Sequence, residues 1–160
     1  RQVSRAQAVH PLAAVQVEYS LWRREAEAEL LPTLRELGIS LVAWSPLGSG
    51  FFAGPVDDLE EGDFRRNNPR FSGSNLALNR GRFAPFMEQA KRLGLSPAQL
   101  SLAWLLHQGL DIVPIPGTRK SGRVLENARA ARLILEDSLF ERIGKLAPPG
   151  LAQGDVLVQA

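Results

Sequence analysis

A chain of 160 residues, 44% apolar and 22% charged, has the composition of one soluble globular domain or a part of one. Nineteen Lys and Arg against seventeen Asp and Glu leave a net charge of +2, too weak a field to argue for nucleic acid or an anionic membrane surface as partner. With no cysteine, a disulfide framework and a thiolate metal centre are excluded. No apolar run reaches membrane-spanning length and no signal-peptide pattern appears, so a cytoplasmic protein is expected.

Three apolar runs read as buried strands: Ala13–Tyr19, Ile39–Trp44 and Ile112–Ile115. Pro114 demotes the last one, because proline cannot donate to a ladder. Between the first two, Glu25–Leu37 places leucines at 30, 31, 34 and 37 on a helical stripe that Gly38 stops. Pro32 sets the start of that helix near itself or kinks it. A long irregular stretch follows, Gly48–Asn79. It carries an acidic run (Asp57, Asp58, Glu60, Glu61, Asp63) and then a basic one (Arg65, Arg66, Arg70). A connection of that length is a binding loop or lid, or else a loose insertion.

Helical signals return at Phe83–Leu93, which ends at Gly94. Ser96-Pro97-Ala98-Gln99 then opens a helix as a capping box with proline in the first turn. That helix runs to the stop at Gly109, and a last helix is expected around Ser138–Leu146 before a Pro-Pro-Gly sequence. Strands alternating with helices predict parallel strands joined by helical crossovers. The chain begins at Arg1 and its one methionine is Met87, so it is expected to be a piece of a longer protein.

Ile112–Asn127, IVPIPGTRKSGRVLEN, is the most informative segment. Pro116-Gly117 breaks the strand and Thr118, Arg119 and Lys120 follow at once. Ser121 is the expected N-cap of a helix that carries Arg123, Glu126 and Asn127. Unpaired N–H groups, a positive dipole end and surrounding cations suit a phosphate. The alternative is a surface turn whose charges are merely solvated. Gly48-Ser49-Gly50-Phe51-Phe52-Ala53 also fits a dinucleotide fingerprint, G-x-G-x-x-[G/A], after a strand. The context of a doubly wound sheet is missing. Gly54-Pro55 interrupts any following helix, and no acidic residue stands about 20 positions on. The glycines still let backbone approach a ligand closely.

Taken together, VQVEYSLW, GISLVAWSPLGSGFFAG, DFRRNNPRF and IVPIPGTRKSGRVLEN resemble the C-terminal half of an aldo-keto reductase, over nearly the whole chain and in the same order. The resemblance implies an α/β fold, the C-terminal half of a (β/α)8 TIM barrel with strands six to eight and their helices, as a single partial domain over residues 1–160. It also implies an extended NADP(H) at the C-terminal rim. In barrels the loops after strands seven and eight and a helix N-terminus often form the phosphate site.

Carried over by position, Gln16 pairs with the nicotinamide carboxamide and Trp44 stacks on the nicotinamide ring. Ser45, Leu47, Gly48 and Ser49 wrap the pyrophosphate. Gly117, Thr118, Arg119 and Arg123 surround the adenosine 2′-phosphate, while Glu126 and Asn127 hold the adenine end. The family's Asp, Tyr, Lys and His tetrad comes from the other half of the barrel. Tyr19 is on the wrong strand, His10 belongs to a helix-to-strand connection, and His107 lies late in a leucine-rich helix. No catalytic residue and no metal ligand are assigned.

The expected function is an NADP(H)-dependent oxidoreductase acting on a small-molecule carbonyl, present as its cofactor-binding half and inactive by itself. The alternatives are a non-catalytic half-barrel that binds a nucleotide or a partner, and a nucleic-acid-binding domain using its arginines, which the near-neutral charge opposes. Trp22 and the Phe51–Phe71 loop are the expected apolar substrate contacts. Open sheet edges predict an isolated chain that self-associates.

Overall fold

The parallel order of the strands follows from the helical crossovers between them. In the computed structural model, which describes residues 2–54, 56 and 59–155, β1 (Ala14–Glu18), β2 (Ser40–Trp44) and β3 (Ile112–Pro114) form one parallel sheet in the order β1-β2-β3. Arg1, Pro55, the first two residues of the acidic run (Asp57 and Asp58) and the last five residues of the chain lie outside the described residues. Helix α1 (Gln2–Val9) precedes β1, and α2 (Leu30–Glu36) connects β1 to β2. Then α3 (Asn75–Arg92) and α4 (Pro97–His107) connect β2 to β3, and α5 (Ser121–Ala130) and α6 (Asp137–Leu146) follow.

The register aligns Gln16 with Val42 and Val42 with Val113. Leu41, Ala43 and Ile112 therefore share one face and are buried under the helices. On the opposite face Trp44 and Val113 remain 42% and 46% exposed. An all-parallel sheet is normally covered on both faces. This one is covered on one.

The packed side centres on α4. Its start is a capping box: Ser96 Oγ accepts the Gln99 N–H at 3.1 Å and Gln99 Oε1 accepts the Ser96 N–H at 3.1 Å, with Pro97 next in line. Trp104 meets Tyr19 edge-on at 6.1 Å and stacks on Phe140 at 6.0 Å, bridging β1, α4 and α6. A second aromatic cluster gathers Trp22, Phe51, Phe52, Phe71, Phe83 and Phe86 beneath the β2–α3 connection.

Three expectations are corrected in detail. The helical stretch Glu25–Leu37 splits into a 3-10 turn at Glu25–Glu27 and α2, whose first turn contains Pro32, where a missing N–H costs nothing. The irregular stretch 48–79 ends early, because α3 begins at Asn75 rather than near Phe83. Asn79, fully buried, explains the extension: its Nδ2 donates to the Arg70 and Gln153 carbonyls at 3.1 and 3.0 Å. Those tertiary bonds override the weak helix propensity of Asn and Gly. Finally, Lys120 takes the N-cap position of α5 and Ser121 is the first helical residue. Thr118 Oγ1 accepts the Lys120 N–H at 3.2 Å instead, turning the chain one residue earlier. Helix α1, ahead of the first strand, was signalled only by the helix-to-strand position of His10.

Candidate functional site

The functional residues gather where β2 and β3 end. Beyond Trp44 the chain enters a turn with positive φ at Ser45, Gly48, Ser49 and Gly50, namely 50°, 58°, 53° and 89°. Two serines in the left-handed region are sterically costly, so the surroundings must hold them there. Part of that hold is local: Ser45 Oγ accepts the Ser49 N–H at 2.9 Å, and the Ser45 carbonyl accepts the Gly48 N–H at 2.9 Å. The two hydroxyl oxygens lie 3.3 Å apart on the same side of the turn.

Across from this turn stands the end of β3. The Ile115 N–H bonds to the Ala43 carbonyl at 3.0 Å, carrying the pairing one residue past the strand, and Pro116-Gly117 then releases the chain into α5. No side chain caps α5, so the N–H groups of its first turn have no side-chain partner there. Arg119, Lys120 and Arg123 are exposed around that end, and none of them forms an ion pair among the described residues. Three uncompensated cations beside a positive dipole end make a local anion site on a chain of almost no net charge.

A third wall borders the cleft. Asp63 accepts the Arg65 N–H at 2.9 Å, and its carboxylate grips the guanidinium through Nε and Nη2 at 3.0 and 2.5 Å. These bonds hold the Asp63 carboxyl well below its ordinary range, at about 2. Arg65 Nη1 reaches the Ser49 carbonyl at 3.5 Å, so Arg65 lies against the turn rather than free in solvent. The cleft, open to solvent, has a volume of about 890 Å³.

Of the residues singled out from the sequence, Ser45, Leu47, Ser49, Gly117, Thr118, Arg119 and Arg123 line this cleft. Gly48 sits within the turn with its back to Trp22. Gln16 and Trp44 occupy the uncovered face of the sheet, Gln16 on β1 and Trp44 at the end of β2. Glu126 and Asn127 follow Arg123 by three and four residues on α5, on its face of the helix, but outside the cleft. Asn127 instead borders a separate apolar cavity of about 500 Å³ between α4, β3 and α5. Asp63, Arg65 and Lys120 line the cleft without having been assigned to it. Lys120 stood in the basic cluster from the start, whereas the Asp63–Arg65 grip depends on a turn that periodicity does not reveal.

Other candidates fall away on burial. Trp22 is 5% exposed and Phe51 and Phe71 are buried with it, so these rings are core rather than an apolar substrate wall. In that connection Phe64 is the exposed ring, at 59%. The Tyr19 hydroxyl, fully buried, donates to Glu27 Oε1 at 3.0 Å, and burial pushes its ionisation far above the ordinary range. His107 packs on the Phe140 ring at 4.6 Å beside Asp137. His10 is exposed in the bend before β1. Among the described residues no group of three or more His, Cys, Asp or Glu is placed to hold a metal ion, and no helix is long and apolar enough to cross a membrane.

The aldo/keto reductase family model matches residues 1–148. An aldo/keto reductase from Klebsiella pneumoniae, solved with NADP and acetate, superimposes with a TM-score of 0.63 at 25% identity, over 90% of this chain and 42% of its own. A glycerol dehydrogenase from Gluconobacter oxydans shares the fold with a TM-score of 0.80 at 24% identity, over 91% of this chain and 45% of its own. The chain thus spans less than half the length of the solved structures it matches.

Proposed function

We propose that this chain, which belongs to the aldo/keto reductase family, is the cofactor-binding C-terminal half of an NADP(H)-dependent oxidoreductase that reduces aldehydes or ketones to alcohols. On this reading β1, β2 and β3 are strands six, seven and eight of a (β/α)8 barrel, and residues 1–160 form one partial domain. A cytoplasmic setting and a small-molecule carbonyl substrate belong to the same proposal.

The observation that carries the reading is the pairing of two unlike anion holders across one cleft. The serine-glycine turn stands on one side and the unpaired Arg119, Lys120 and Arg123 at the start of α5 on the other. One site of that kind fits a phosphate. Two, set apart, fit a molecule with a pyrophosphate and a further phosphate, which is what separates NADP(H) from NAD(H). The Klebsiella relative was solved with NADP, and this cofactor is carried over to the present chain.

Within the proposal Ser45, Leu47, Gly48 and Ser49 receive the pyrophosphate. Gly117, Thr118, Arg119 and Arg123 receive the 2′-phosphate, where a planar guanidinium can bond two oxygens at once. Glu126 and Asn127 face the adenine end. Gln16 and Trp44, on the uncovered face of the sheet, orient the nicotinamide end, Gln16 by its amide and Trp44 by ring contact. When bound, the cofactor supplies the hydride. The acid that completes a carbonyl reduction is assigned to no residue of this chain, because Tyr19 is sealed in the core and no tyrosine or histidine lines the cleft among the described residues. That same observation favours a second reading, a half-barrel that binds the nucleotide without catalysis.

Joint replacement Arg119→Ala and Arg123→Ala tests the assignment by direct titration with NADPH and NADH. Two charge-assisted contacts at about 1.5 kcal/mol or more each predict a loss on the order of a hundredfold for NADPH, with NADH little changed. Equal losses for both nucleotides would show that these arginines do not read a 2′-phosphate.

A further inference from the structure

Gly48 has φ +58°, and a Cβ there would stand 3.2 Å from the Cβ, Cδ2 and Cε3 atoms of Trp22. The indole is therefore the floor on which the serine-glycine turn rests. Trp22 is itself wedged against Phe51, Phe71 and Phe83 at centroid distances of 4.2, 5.5 and 5.8 Å.

One further group fixes its backbone. Arg70 Nη1 donates to the Trp22 carbonyl at 3.0 Å, and the guanidinium lies 5.4 Å from the centroid of the indole ring. Arg70 is 6% exposed, and among the described residues no carboxylate pairs with it within the 4.0 Å of an ion pair. Burial holds its guanidinium below the ordinary range, against the pull of Glu18 and Glu25. A buried charge with no carboxylate partner is costly to the fold. Packing alone does not account for an arginine at this position.

The remaining contacts of Arg70 lead to the segment after α6. Its Nε donates to the Gly154 carbonyl at 3.2 Å. Gly154 has φ +96°, and a Cβ there would lie 2.8 Å from the Pro69 carbonyl carbon, so only glycine permits this approach. The neighbouring Gln153 is held at both ends by the Asn79 amide, its N–H donating to Oδ1 at 2.6 Å and its carbonyl accepting from Nδ2 at 3.0 Å. Asn68 completes the frame by accepting the Arg70 N–H at 3.0 Å.

The geometry points to Arg70 as a positioning residue for the pyrophosphate-holding turn, coupling residues 153–154 through Trp22 to Gly48. This rests on the cofactor reading above. Segment 153–154, remote in sequence from the turn, then acts on cofactor affinity without touching the cofactor.

The full chain is titrated with NADPH and, separately, with adenosine 2′-monophosphate, which carries the adenosine end and its 2′-phosphate but no nicotinamide and no 5′-phosphate. Arg70→Met is expected to weaken NADPH about tenfold and to leave the monophosphate within about twofold. Arg70→Lys, which retains a donor for one of the two carbonyls, falls between. Unchanged NADPH affinity in Arg70→Met overturns the coupling, and so does an equal loss for both ligands, which reports general damage to the fold. A parent chain that binds neither ligand removes the cofactor reading, and the coupling with it, before any substitution is made.

Discussion

Arg65 bonds Asp63 through its side chain first and its backbone amide second, and the carboxyl is held at about 2 against an ordinary 3.8. A carboxyl whose folded value is depressed contributes stability that is complete above the unfolded value and is lost as the pH falls toward the folded one. The third wall of the cleft should therefore loosen between about pH 4 and pH 2 and be indifferent to pH near neutrality. A carboxyl-carbon NMR titration should place Asp63 near 2, and Arg65→Ala should return it to the ordinary range. A parent value already at 3.8 would show that the grip does not persist in solution. This pair also marks a limit of reading residues from sequence. Its charges were visible as neighbouring acidic and basic runs. An i,i+2 contact, however, matches no helix period and lies here outside any strand, and it exists because Asp63 caps the 3-10 turn Phe64–Asn67. Trp22 illustrates the converse error. An aromatic ring just past a strand end suits a ligand wall and a core equally well, and only the four phenylalanines packed on it decide the matter.

At the scale of elements, the connection between β1 and α2 is pinned to α6 by one side chain. Arg24 bonds Glu27 through Nε and Nη2 at 2.7 and 2.9 Å, and its Nη1 reaches the Gly144 and Ala147 carbonyls at 2.9 and 2.7 Å. Its guanidinium also lies 4.7 Å from the centroid of the Trp104 ring. Those carbonyls belong to the last turn of α6 and the residue that ends it, where the helix has no internal donors left. Truncation by Arg24→Ala leaves Glu27 with the Tyr19 hydroxyl but no cation and strands both carbonyls, and the expected cost is about 2–4 kcal/mol of unfolding free energy. Urea denaturation with an unchanged slope would measure it, and a loss below about 0.5 kcal/mol would place Arg24 among ordinary surface charges. The strands were legible to within a residue or two, because each is a short apolar run and the helix between the first two is striped with leucine. What the pattern lacked was length in α3. Its opening turns carry Asn, Arg and Gly, and Asn79 makes them helical through partners 9 and 74 residues away along the chain. No local signal encodes a bond of that span.

For the molecule as a whole, the consequential feature is the uncovered face of the sheet. Trp44, Val113 and Ile115 are 42%, 46% and 45% exposed on it, and β1 and β3 are both edge strands, with their outer ladder groups unpaired within the sheet. The order of elements made a parallel sheet readable from the sequence. The barrel that would cover this face came from family resemblance and remains part of the proposal, since three strands do not close a barrel. Bare apolar surface between two free edges favours pairing with another sheet, and a second copy of this chain offers the same surface. Self-association is therefore the expected state of the isolated chain. Sedimentation velocity across a range of concentrations should show a weight-average mass above that of the 17.5 kDa monomer and rising with concentration. Trp44→Lys with Val113→Lys, which sets two charges on the face without touching the packed side, should return the chain toward monomer. A parent chain that stays monomeric throughout and melts in one sharp cooperative transition would mean that the face needs no cover, and with it the reading of β1, β2 and β3 as part of a larger barrel would lose its physical basis.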